Sequence, residues 1–177
     1  MKNHLKPINI IYLVRVLDGA AFSSVMPFIL LHLTKTFGHS ASYAGMLLGA
    51  QSMVPVFAGI ALGVAMTKIE RRLALLVSMA ALAIASLWIM TGAGGGAGLW
   101  MAFVLSGLAF SGSRIAFSSS VPDYLAKEEC AQGYALLHSS ANVGMALGPV
   151  LSGYWVAREN YQYALLVPVG LYALSAL

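Results

Sequence analysis

INIIYLVRVLDGAAFSSVMPFILLHLTKT, residues 8–36, is an apolar block whose interior carries only two charges, Arg15 and Asp18. Lys2 and Lys6 precede it, as basic residues precede a secretory signal, but a signal core is about 7 to 15 residues long and this block runs well past that. A helix rises about 1.5 Å per residue, so a bilayer needs about 20 of them. The block is long enough, and it reads as a retained membrane span with an ionisable pair inside.

The same pattern repeats along the chain. Apolar blocks recur at residues 41–66, 73–91, 98–124, 132–157 and 161–177. These predict an all-α, polytopic bundle of five complete spans and the beginning of a sixth. The last block stops after roughly 16 residues, short of a comfortable crossing, so the chain reads as cut within it. Composition agrees: 59% of the 177 residues are hydrophobic and 9% charged, where a soluble domain carries about a quarter charged. A chain this apolar is expected to use the lipid bilayer as its solvent, as a multi-pass protein of the plasma membrane. Its net charge of +4 does not point to nucleic acid, because the basic residues are scattered between apolar blocks. They follow topology instead. Lys2, Lys6, Lys68, Arg71, Arg72 and Lys127 fall on one side and only Lys35 and Arg158 on the other, which places the N-terminus in the cytoplasm.

Charges inside spans mark function. Insertion scales assign about 2.5–3.5 kcal/mol to each Arg or Asp at a span centre, so Arg15, Asp18 and Arg114 together cost roughly 9 kcal/mol unless partnered. Arg15 and Asp18 are three apart and share a helical face. Counted from the cytoplasmic ends, Asp18 and Arg114 lie at similar depth, which predicts a triad. Projection at 100° per residue adds Phe22 to the first face, and Phe103 and Phe110 to that of Arg114. Aromatic surface with a few polar groups suits a cavity for an amphipathic small molecule.

The fifth block carries two stripes: His138, Asn142, Met145 and Pro149 on one, Gly144 and Gly148 on the other. Glycines four apart let a neighbouring helix approach closely, and Gly45/Gly49 and Gly59/Gly63 repeat the spacing. Pro149 predicts a kink. Enzyme chemistry finds little support. Ser111 and His138 lack the Gly-x-Ser-Gly turn of an intramembrane serine protease, and GAGGGAGL (residues 92–99) has no following Lys-Ser or Lys-Thr to hold a nucleotide. No cofactor or metal is implied, and the one cysteine, Cys130, permits no internal disulfide.

Three stretches resemble the major facilitator superfamily, in particular its drug:proton antiporters. LDGAAFSSVMPFI (17–29) is similar to the first-span signature, with Asp18 nine positions before Pro27. GVAMTKIERRLAL (63–75) resembles the signature loop between spans two and three, containing Gly63, Lys68, Arg71 and Arg72. GMALGPVLSG (144–153) resembles the antiporter motif of the fifth span, with Gly144, Gly148, Pro149 and Gly153 matching. Ala135 stands for its leading Gly, and Ser152 for the first Gly of its closing pair. The departures are specific. Thr67 replaces an Asp and Glu70 a Gly in the loop, so its carboxylate-to-Arg clamp is weakened or moved to Glu70. Phe103 stands where the family often has an Arg. The resemblance implies the N-terminal six-span half of a transporter, whose missing C-terminal half completes the cavity. It also implies export of amphipathic molecules in exchange for protons, with Asp18 as proton acceptor. The two Arg residues against one Asp leave an uptake carrier for a small anionic metabolite as the alternative.

Overall fold

The computed structural model describes residues 7–66 and 68–176, and Lys2, Lys6 and Thr67 lie outside the described residues. The chain is helical: α1 (Pro7–Val25), α2 (Ile29–Leu31), α3 (Ala41–Met66), α4 (Arg71–Thr91), α5 (Gly95–Tyr124), α6 (Cys130–Val156), α7 (Tyr161–Ala164) and α8 (Leu166–Ser175). Four helical stretches among the described residues are long and apolar enough to cross a membrane: Ile8–Thr36, Ala41–Met66, Arg71–Thr91 and Gly95–Tyr124. This is a multi-pass membrane protein.

The expected count of five spans and part of a sixth is not reproduced. The fifth block forms α6, a continuous helix of 27 residues, but Gln132, His138, Ser139, Ser140 and Asn142 dilute its hydropathy. The sixth block divides into α7 and α8, the latter only 10 residues long. Pro168 explains the division, because continuing α7 would need its absent N–H to bond the Ala164 carbonyl. In the first turn of α8 that missing donor costs nothing. Pro27 acts similarly on the first block. After α1 the chain makes a turn, resumes at α2 and ends in a π-helical segment, His32–Thr36. Pro149, by contrast, leaves α6 unbroken.

Glycines decide which helices touch. A Cβ on Gly144 would collide with the Val16 carbonyl, one on Gly148 with Ser23 and the Ala20 carbonyl, and one on Gly19 with the Ala141 carbonyl. α1 and α6 therefore lie backbone to backbone along most of their length. The other four glycines expected to do the same do not. Gly45, Gly49, Gly59 and Gly63, like Gly153, have no neighbouring atom within 4 Å of an added Cβ. They lie on α3, whose outer face is bare: Phe57 and Ile60 are 79% and 82% exposed, as apolar side chains facing lipid would be. α4 packs against α5 and α8, and α3 against α5. At the end away from the basic turns, Gly92 caps α4 in the left-handed conformation (φ 63°), donating to the Trp88 carbonyl at 3.0 Å, a conformation that costs other residues energy.

Two packed clusters result. One holds Ala21, Met79, Leu82, Ala109, Phe117, Val121, Leu137 and Tyr172. The other, beyond the Pro27 break, holds Ile29, Leu33, Ala44, Leu47, Ile89, Leu99, Ala102 and Phe103.

Candidate functional site

On α1 the i, i+3 spacing brings Arg15 onto Asp18, where Nη1 donates to Oδ2 in an ion pair. The pair is deep, with side chains 13% and 1% exposed. One atom of each partner, Arg15 Nε and Asp18 Oδ1, is buried without a hydrogen bond. The Arg15 guanidinium also lies 5.0 Å from the Phe117 ring centre, a cation–π contact that offsets part of its burial. Arg114 does not complete the expected triad. It makes no ion pair with Asp18 among the described residues, and its guanidinium sits 5.7 Å from the Phe110 ring centre instead. Equal depth placed the two at one level, but the rotation of α5 sets Arg114 beside the pair and not onto Asp18, in an exposed position.

Outward from that pair lies a cavity of about 470 Å³ between α1, α3 and α5. Phe22 lines it from α1 and Met26 from the turn that follows, Gln51 and Pro55 from α3, and Phe110 and Arg114 from α5. Phe22 and Phe110 stack with ring centres 4.7 Å apart and planes 18° from parallel. Behind the stack a second void of about 30 Å³ reaches Ser86, Ser106 and Tyr172. Gln51 borders both spaces, and its buried Oε1 has no hydrogen-bond partner. Pro55 cannot donate to the Gln51 carbonyl four residues back. That carbonyl faces Gly107, where an added Cβ would stand 2.7 Å from it. This close approach is how α3 meets α5.

Gln51 escaped the search for charges, although a lone amide in an apolar block is itself a signal. Phe103 went the other way. It is 0% exposed within the outer packed cluster and lines none of the cavities, so it is core and not cavity wall. His138 is exposed on α6 and meets Arg15, Arg114 and Ser118 around a recess of about 20 Å³. Asn142 is exposed one turn further along and borders neither the cavity nor the recess.

At the basic end, Arg71 pairs with Asp123 at 3.3 Å, joining the start of α4 to the end of α5, and its Nη1 reaches the Met66 carbonyl at 3.5 Å. The carboxylate that meets the loop arginine is thus Asp123 and not Glu70, which caps α4 and is exposed alongside Lys68 and Arg72. Both partners are more than a third exposed, so the pair contributes under about 1 kcal/mol.

The family model described as Major Facilitator Superfamily matches residues 11–177. The chain is also similar to the uncharacterized MFS-type transporter YqjV of Bacillus subtilis (strain 168), at 30% identity over 176 residues. That alignment covers 96% of this chain and 41% of the relative, so the chain spans less than half the length of the curated relative it matches.

Proposed function

This chain belongs to the major facilitator superfamily, membrane transport proteins and not enzymes, and from that premise we propose that it carries small amphipathic molecules out across the plasma membrane in exchange for protons. The observation that carries this is the cavity of about 470 Å³ bounded by the Phe22–Phe110 stack, with Gln51 and Arg114 as its polar fittings. Aromatic faces hold an apolar body with little loss of rotamer freedom, and a few fixed polar groups orient it. Asp18 is the proton acceptor. It sits behind the cavity wall, with one carboxylate oxygen held by Arg15 and the other unpartnered. The chain forms the N-terminal half of the transporter. In this reading the N-terminus is cytoplasmic, α6 serves as a fifth span beside the four long apolar helices and α7 with α8 belongs to a sixth, and a C-terminal half closes the cavity so that the two can rock around it.

A second reading, an uptake carrier for a small anionic metabolite, is favoured by one observation: Arg114 faces the cavity with no carboxylate partner among the described residues.

The test is dye transport in inverted membrane vesicles carrying the natural protein under an imposed pH gradient. Phe22→Ala and Phe110→Ala each remove apolar contact that stabilises a bound dye by about 1.5 kcal/mol or more. Each is expected to raise KM about tenfold or more. Unchanged transport in both variants would show that the cavity is not the route.

A further inference from the structure

We infer that the recess lined by Arg15, Arg114, Ser118 and His138 is a head-group site for anions, so that the molecule carried is an amphipathic organic anion whose apolar body lies in the larger cavity. This rests on the cavity being the transport site, and it names the class of substrate. Three helices build the recess at one level. Arg15 on α1 and His138 on α6 each stand eight residues from the end of their helix, and Arg114 on α5 ten residues from its end. At about 1.5 Å per residue all three lie about 12–15 Å inside.

The charge balance selects the ligand. Asp18 pairs with Arg15, whereas Arg114 forms no ion pair among the described residues, so two guanidinium groups face one carboxylate. Neither the recess nor the cavity has a carboxylate in its lining. A cation entering there would meet the positive charge of Arg114 with no carboxylate in the lining to receive it. An anion would meet the Arg114 guanidinium, the Ser118 hydroxyl and the His138 imidazole around one recess, whose remaining wall is Arg15, Phe117 and Leu137. Arg is well suited to carboxylate-like groups because its planar fork can donate two hydrogen bonds to them.

Size divides the ligand between the two spaces. The recess, about 20 Å³, admits roughly one heavy atom, so only the leading oxygen of a carboxylate or sulfonate enters. Arg114 borders both spaces. On α5, Phe110 in the cavity wall is four residues to one side of it and Ser118 in the recess four residues to the other. Head and body sites are therefore about one helical turn, 5.4 Å, from Arg114 in opposite directions. That is the span of a short amphipathic molecule lying along α5.

The experiment uses the natural protein in lipid nanodiscs, with empty discs subtracted, and two dyes sharing one aromatic body: anionic anilinonaphthalene sulfonate and neutral phenylnaphthylamine. Wild type is expected to prefer the sulfonate. Arg114→Gln should lower that preference about tenfold or more. Ser118→Ala, which removes one hydrogen bond, should lower it about threefold. Phe110→Ala should weaken both dyes alike. Equal affinity for the dyes in wild type, or a preference insensitive to Arg114→Gln, overturns the anion site while leaving the cavity intact. Binding of neither dye, or indifference of both to Phe110→Ala, instead removes the cavity itself. Retained binding of the neutral dye shows that a variant is folded.

Discussion

The proposed mechanism gives a single carboxylate, Asp18, a coupling role on top of the structural one it has as the partner of Arg15. It is nearly inaccessible and its Oδ2 accepts from Arg15, so the two roles need to be separated. Asp18→Asn keeps the shape and an oxygen that can accept the Arg15 bond while abolishing titration. Protein is expected in the membrane fraction at near wild-type amount, with pH-gradient-driven dye transport lost. Normal gradient-driven transport in Asp18→Asn excludes it as the proton acceptor. If the pair were only a structural tie, removing one charge would strand the other at a cost of about 3–5 kcal/mol, and adding Arg15→Gln would recover folded yield. At this scale the sequence was legible in part. The i, i+3 rule found the pair, because one helix fixes both partners. Phe103 was misplaced, and Arg114 reached the cavity without joining the ion pair, because depth and helical face do not report how a helix is rotated against its neighbours. Phe103 and Phe110 share an inward face, yet one is sealed by α3 and α4 and the other opens onto the cavity.

Among the elements, α1 and α6 make the tightest contact, and glycine is what permits it. Replacing Gly148 by Leu drives a side chain into the Ala20 and Ser24 backbone, which neither helix can relieve by rotating a side chain. Such overpacking costs about 1–3 kcal/mol or more. A lower melting temperature in detergent and reduced folded yield are expected. Gly153→Leu, on the same helix with open space around it, should change stability by no more than about 0.5 kcal/mol. Equal stability for the two variants would refute the packing contact. Glycine spacing alone could not distinguish these sites, since Gly59 and Gly63 have the same interval as Gly144 and Gly148 but no atom within 4 Å of an added Cβ. The helix breaks were legible only as residues. Pro27, Pro55, Pro122, Pro149 and Pro168 are all visible in the sequence, yet two stand at helix breaks and three lie inside unbroken helices.

For the molecule as a whole, topology is the open physical question. The uneven distribution of Lys and Arg argues for a cytoplasmic N-terminus, which puts the connection between α5 and α6 inside the cell. Cys130, partly exposed at the start of α6, is then shielded in intact cells. An impermeant thiol reagent should fail to label it until the membrane is permeabilised. Prompt labelling from outside would invert the topology. Helical class and membrane residence were readable from composition, because lipid leaves a chain few other solutions. Span count was less so, since Gln132, His138, Ser139 and Asn142, exposed on α6, dilute its hydropathy although the helix itself is long and continuous.

The Phe22–Phe110 stack also has an electrical consequence. The cavity on one side of the rings holds many waters, but the void behind them, at about 30 Å³, holds about one. Two rings 4.7 Å apart admit no water between their faces, so no file of hydrogen-bonded molecules passes through the stack itself. A carrier coupled to protons as proposed above must not short-circuit its gradient. The stack is a dry point in the wall the two spaces share, and under that proposal a proton passing there travels on a side chain.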